Sequence, residues 1–479
     1  MKHIKRSIYL TTLLHYIGKS ISFLREVYLL PKILSLNELG IYRGIQASIF
    51  LLANLDLSKS IVRQFNYWKQ NQESQDTFFI YTLFTTTCLY LIIVAGCWSN
   101  KELLEAFLNK KSPELITYLP IIIPLSYIIL LNITFKSWYM ALRKTVWPNF
   151  TQHIVLQSLL LLPPLLYYWD IIPFHKMIVA ITIPYTFNLL LLLTHLYYTK
   201  GFTWSFNWRL LNKKQIYAFC SHSLFILLTS QALLAIHRID TILILGICGK
   251  AKAATYHTAA FVASLLIVPI KVIKQTTVEL TASKLAKKSY EELHILYKKI
   301  TLYQFSLSSL LFLWFYANLD HLLVAFSKET IVEAKQIFIL LAIKWLIRNL
   351  AYPSEMILIL SSYFYLNLIT FMLAIVNLMV NYMMIERWGL HGAAISNLTL
   401  VVISKSITCW IVWYKLRMQP LSIDIVKITI WTLLMLAMIY YLPNFGLWWI
   451  DIGLRTTFFG ITIIILARTK SLPPLLQEK

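Results

Sequence analysis

Apolar runs long enough to cross a bilayer follow one another along nearly the whole chain. A helix rises about 1.5 Å per residue and the hydrocarbon layer is about 30 Å thick, so about 20 such residues make one crossing. Bounded by charged, Pro- or Asn-marked breaks, the runs predict about fourteen helices, near 8–33, 41–62, 78–98, 115–140, 150–170, 177–198, 216–248, 253–270, 300–318, 336–361, 365–385, 391–414, 428–443 and 447–467. The fold class is an all-α polytopic membrane protein. Composition agrees: of 479 residues 58% are hydrophobic and 14% charged, with mean hydropathy +0.64. A soluble globule carries about 25% charge. The basic start of the chain mimics a signal peptide, but the first run lacks a small-residue cleavage site and contains Lys19, Arg25 and Glu26, so it is expected to remain.

The 44 Lys and Arg against 21 Asp and Glu sort by membrane side. One set of alternating segments holds 24 of the 44, the opposite set 10, and 10 fall inside predicted spans. Basic residues stay inside, so both termini are expected in the cytoplasm. Spread over short loops without a folded module, the cations do not suit nucleic acid. The longest inner segment, about 271–299, contains LTASKLAKKSYEELHILYKK and reads as an interfacial helix on anionic lipid. Cys88, Cys97, Cys220, Cys248 and Cys409 lie in apolar stretches without C-x-x-C pairing, giving neither a disulfide framework nor a metal site. No Walker-type Gly-rich loop occurs, and no cofactor is expected.

Position n placed beside n + 214 aligns the first two spans with the seventh and eighth: Glu26 falls on Asp240, and Tyr42 and Arg43 fall on Tyr256 and His257. An even number of spans separates the copies, so they cross in the same direction, related by a pseudo-twofold axis along the membrane normal. This gives a six-helix lobe over 1–215, a second over 216–415, and two additional helices with a cytoplasmic tail over 416–479.

The ten cations inside spans are Lys19, Arg25, Arg43, Lys59, Lys136, Arg238, Lys344, Arg348, Lys405 and Arg455. Each costs about 2.5–3.5 kcal/mol at mid-bilayer on insertion scales, so together they must line something polar or lie near interfaces. Lys19, Ser22 and the Arg25–Glu26 pair share one helical face, as do Lys344 and Arg348, four residues apart. For Arg25 and Arg43 two readings stand: facing a cavity, or pairing with Glu26 or Asp56 as internal glue. Lys59 also suits snorkelling to the interface. A cation-lined cavity takes an anion, and guanidinium forks suit phosphate. The candidate diphosphate contacts are Arg25, Arg43, Lys59, Arg238, Lys344 and Arg348; the candidate coupling carboxylates are Glu26, Asp56, Asp240 and Glu355. Tyr42, Tyr67, Trp68, Trp138, Tyr139 and Trp147 suit either an interfacial aromatic belt or sugar stacking.

Three segments carry a family resemblance: FLREVYLLPKILSLNELGIYRGIQASIFLLANLDLSKSIVRQF from Phe23, RIDTILILGICGKAKAATYHTAAFVASLLIVP from Arg238, and Tyr363 to Ile407 with its L-x-G-A-A segment. They resemble oligosaccharide flippases of the Wzx type, in the multidrug/oligosaccharidyl-lipid/polysaccharide exporter superfamily. The resemblance implies a bilobal twelve-helix core with two added helices, alternating access, and transfer of undecaprenyl-diphosphate-linked oligosaccharide to the outer leaflet of a bacterial inner membrane for polysaccharide or O-antigen biosynthesis. Phe23-Leu24-Arg25-Glu26 is similar to an F-x-R-[DE] pattern of lipid II flippases, which places Arg25 on the central cavity. The partners it implies are the lipid-linked glycan and membrane lipids, around a monomer, with a glycan polymerase left open. Two rivals remain. A cation-coupled multidrug exporter would want carboxylates where these spans carry cations. A membrane glycan polymerase or ligase would want a long outer loop, and His153, His195, His222 and His321 have no Asp at catalytic spacing. The chain is read as a transporter rather than an enzyme.

Overall fold

A computed structural model describes residues 2–457, apart from 54–56, 58–59, 62–64, 66–67, 69–71, 101, 103–104, 107–111, 143, 145, 200–204, 208–209, 211–212, 227–231, 268–269, 271–276, 278–279, 282–283, 286, 323–327, 362 and 441–450. Lys59, Asp56 and Tyr67 therefore lie outside the described residues, as do the side chains of Arg238 and His222. The chain is all-α, with the fold of about fourteen helices in two lobes expected from its sequence. Six helices among the described residues are long and apolar enough to cross a membrane. Packing divides the chain into two compact units, Met1–Ala254 and Thr255–Lys479.

In the first unit, α1 is an α-helix over Lys2–Phe23, widens into a π-helical turn over Leu24–Leu29, and closes as α-helix over Leu30–Ile33. Pro31 has no N–H to give the carbonyl four residues back, which favours the wider turn before it. Helix α2, Leu36–Ala53, starts at a capping box: the Ser35 N–H and hydroxyl donate to Glu38 at 2.9 and 2.7 Å, and the Glu38 N–H donates back to Ser35 Oγ. Then come α3 (Gln72–Ser99), α4 (Leu119–Ala141), α5 (Val146–Tyr168) with a second π turn over Thr151–Val155, α6 (Phe174–Tyr198), α7 (Lys213–Ile226) and α8 (Ala232–Ile247), while α9 (Lys250–Ser264) starts in this unit and ends in the next.

The core of this unit is aromatic. Phe78 stacks on Trp68 at 5.4 Å, and Phe79 leans on Trp138 at 4.8 Å. Trp68, Trp138 and Tyr139 are buried, so these three are core, neither belt nor sugar platform. The Tyr139 hydroxyl donates to the Leu192 carbonyl at 2.9 Å and meets His195, whose ring stacks on Trp147 at 4.7 Å. On α2, Gly40 lies so close to the Lys250 backbone that a Cβ would come within 2.1 Å of its carbonyl oxygen. The Lys250 ammonium also donates to Glu114, in the turn before α4. Burial pushes the Glu114 carboxyl up, but the hydrogen bond and charge of Lys250 outweigh it and hold the group below its usual range. A carboxyl lowered in the folded state stabilises above its unfolded pKa and loses that contribution as pH falls through the folded value. Lowering pH from about 6 to about 3 is expected to depress the unfolding midpoint of wild type more than that of Glu114→Gln, read by thermal unfolding in detergent; parallel curves would refute the clasp.

In the second unit, α10 (Tyr290–Leu322) packs on α11 (Lys328–Leu360), α11 on α12 (Leu368–Leu416), and α13 (Ile423–Tyr440) returns to α10. Helix α12 folds back on itself at Gly389, φ 55° and ψ −131°, so its two arms form the hairpin of the expected spans near 365–385 and 391–414. Ile425 of α13 packs on Leu302 and Phe305 of α10. The helical residues 451–457 are held to α10 by Arg455 on the Ala317 carbonyl, by Asp451 3.4 Å from His321, and by the Trp314 N–H donating to Thr456 at 3.0 Å.

Candidate functional site

The first π turn aims two consecutive residues, Arg25 and Glu26, into the first unit. Arg25 donates through Nε and Nη2 to Glu26 Oε1 at 3.1 and 2.8 Å. From α2, Arg43 donates through Nη1 to Glu26 Oε2 and, at 3.0 Å, to Gln46 Oε1; its Nη2 donates to the Glu26 main-chain carbonyl at 2.8 Å. Gln46 Nε2 reaches Glu26 Oε1 at 3.4 Å. One carboxylate thus serves two guanidinium groups, and the triad carries a net single positive charge.

The two arginines differ in what they have left to offer. Arg43 is 0% exposed, and its two terminal nitrogens are spent on Glu26 and Gln46. Its Nε has no hydrogen-bond partner, and its guanidinium lies 5.6 Å from the Tyr42 ring. Arg25, 6% exposed, keeps its terminal Nη1 without a partner. A buried guanidinium N–H without an acceptor is costly, and an anion oxygen is its strongest complement. Tyr185 of α6 lies within electrostatic reach of both Arg25 and Glu26. The pairing reading of Arg25 and Arg43 is therefore realised with Glu26 in this conformation.

The other sequence candidates lie elsewhere. Asp240 is buried on α8, in the first unit. In the second, Lys344 and Arg348 flank one ring, Trp345, at 5.3 and 5.2 Å, and Lys344 is 6% exposed. Glu355, about two helical turns further along α11, accepts from Lys405 of α12 at 2.5 Å. Beside it Tyr297 meets Ser354, which lies 3.2 Å from Cys409. Sequence spacing missed this cross-helix pairing, because Glu355 and Lys405 are 50 residues apart and only the α11–α12 packing joins them. It also missed a contact in the first unit, where the Lys136 ammonium on α4 donates to Gln152 in the second π turn.

These residues sit in a polytopic all-α fold. No family model and no curated protein matches the sequence. Among solved structures, the chain is similar to the lipid II flippase MurJ in an inward closed conformation, with TM-score 0.73 and 16% identity over 96% of this chain and 99% of that one. It is similar to an inward-facing multidrug resistance MATE family transporter of the MOP superfamily, with TM-score 0.65 and 13% identity over 90% and 96%. A MOP superfamily transporter from Pyrococcus furiosus Vc1, described by a binding pocket of reverse polarity, gives TM-score 0.57 and 14% identity over 91% and 96%. The chain shares the fold of these solved structures, the fold that the resemblance read from its sequence implies.

Proposed function

We propose that this chain is a flippase that carries undecaprenyl-diphosphate-linked oligosaccharide from the cytoplasmic to the outer leaflet by alternating access. The observation that carries the reading is Arg25 Nη1: a buried terminal guanidinium nitrogen with no acceptor, in a triad of net positive charge. Arg25 is the diphosphate contact, and Arg43 is the clamp that holds Glu26 in place. Lys344 and Arg348 are further anion contacts, and Lys59 and Arg238 belong to the same set. With both termini in the cytoplasm of a bacterial inner membrane, an inside-negative potential favours outward movement of the diphosphate by about 2.3 kcal/mol per charge per 100 mV. Glu26 and Glu355 face cations in this conformation, which favours potential over carboxylate protonation as the driver; Asp56 and Asp240 complete the set of coupling candidates. The pairing of Glu26 and Glu355 also disfavours a multidrug exporter, since an organic cation would have to displace Arg25, Arg43 or Lys405 to reach either carboxylate. The proposed setting is polysaccharide or O-antigen assembly, and an associated polymerase fits it.

Arg25→Ala leaves Glu26 paired with Arg43, so folding is expected to survive while transport falls by a factor of about 100 or more; Arg25→Lys keeps part of it. The test is reconstitution in vesicles with a fluorescent lipid-linked oligosaccharide, scored by its accessibility in the opposite leaflet, beside an organic cation. Wild-type transfer of the glycan by a well-folded Arg25→Ala protein would overturn the assignment, and uptake of the organic cation alone would favour the exporter.

A further inference from the structure

A cavity of about 40 Å³ lies where α4, α5 and α6 meet, walled by Ile129, Asn132, Lys136, Gln152, Tyr185 and Asn188 among others. Its polar groups have a forced orientation. The Asn132 amide nitrogen donates to two main-chain carbonyls, of Ile128 at 2.9 Å and Tyr185 at 3.1 Å. Its side-chain oxygen must therefore accept, and it does, from Asn188 Nδ2 at 2.6 Å. That leaves Asn188 Oδ1 as an acceptor without a partner on a residue 2% exposed. Lys136, a three-proton donor, shares the same small space and donates one hydrogen to Gln152.

An acceptor and an ammonium facing one cavity select its occupant. A halide would sit against the Asn188 oxygen, and a metal cation against the ammonium. A water accepts from one group and donates to the other, and the volume holds about one or two of them. The geometry points to an ordered water site that joins Lys136 to Asn188 and fixes the ammonium in place, so that a third cation supports the anion field of Arg25. Tyr185 links the two places: its side walls the cavity, and its ring lies within electrostatic reach of Arg25. The water site stands on the cavity alone, while the role of Lys136 rests on the reading of Arg25 as the anion contact. Lys136 is a positioning residue that acts through the field and does not touch substrate.

Two measurements decide it. X-ray radiolytic footprinting of the protein in nanodiscs generates hydroxyl radicals from bound water. Tyr185 is expected to be oxidised several-fold faster than Tyr127, which is likewise half-buried but does not line the cavity, and Asn188→Leu is expected to abolish that excess. Equal rates in wild type, or an excess that persists in Asn188→Leu, overturn the water site. The second measurement is binding of farnesyl diphosphate. Lys136→Met is expected to raise the Kd roughly three- to tenfold, Lys136→Arg to restore it, and added salt to narrow the gap. If Arg25→Ala weakens the probe and Lys136→Met does not, the role of Lys136 fails while the anion contact stands. If Arg25→Ala leaves the Kd unchanged, the anion contact fails, the role of Lys136 falls with it, and the footprint decides the water alone.

Discussion

Glu26→Gln is expected to remove most of the folded protein from the membrane. The substitution keeps the shape and one hydrogen-bond acceptor but deletes the only negative charge in contact with Arg25 and Arg43 among the described residues. Both guanidinium groups are buried, so neither recovers its hydration. Breaking a buried pair from one side costs about 3–5 kcal/mol, and here two cations lose the same partner. That is a large share of an ordinary stability margin of about 5–15 kcal/mol. Glu26→Asp keeps the charge with a reach shorter by one methylene, and an intermediate loss is expected. Pairing Glu26→Gln with Arg43→Met removes one of the two stranded cations, so the double variant is expected to recover part of the yield that the single one loses. Monodisperse yield and unfolding midpoint in detergent are the readouts. A single variant with wild-type values, or a double variant worse than the sum of its parts, would show that the triad does not hold α1 to α2.

Lipid imposes the spans, which is why they were readable: length and hydropathy alone placed the α12 hairpin, and the shared helical face of Lys19, Ser22, Arg25 and Glu26 pointed to a polar interior. The choice between cavity and ion pair for Arg25 and Arg43 was not readable, because it depends on how α2 is rotated against a π turn. No periodicity announces that turn, and only Pro31 hints at it. Trp68, Trp138 and Tyr139 read as interfacial because aromatic residues near loop charges usually are, yet helix packing draws them into the core. Lys136 was visible only as one cation among ten, since its cavity depends on Gln152 and Asn188, on two other helices. The likeness to solved structures at 13–16% identity for MurJ and the inward-facing MATE transporter reflects the same division. Apolar patterning carries the fold, and individual polar residues are free to diverge.

Gly392→Val is expected to separate the two arms of α12. At Gly389 the backbone adopts φ 55° and ψ −131°, outside what a residue with a Cβ holds comfortably, and this reversal brings the arms together within a few residues. Gly392 is where they touch: a Cβ there would lie 1.9 Å from the Met384 carbonyl oxygen and 2.9 Å from the Ile385 nitrogen. Those neighbours are main chain and cannot rotate away, so the arms must part. The contacts that follow the turn then open, beginning with the Ser396 hydroxyl donating to Asn381 Oδ1 at 2.7 Å and with buried Ile385, Ala393 and Ala394. Overpacking of a tight core costs about 1–3 kcal/mol, and forcing backbone apart costs more. The small residues of the L-x-G-A-A segment thereby acquire a physical reason, namely close approach of two helices that share a turn. Gly392→Ala is expected to lower the unfolding midpoint and Gly392→Val to lower it further, while Gly96→Ala, with open space around its Cβ position, leaves it in place. Equal midpoints for Gly392→Val and Gly96→Ala would mean that the arms do not meet at Gly392.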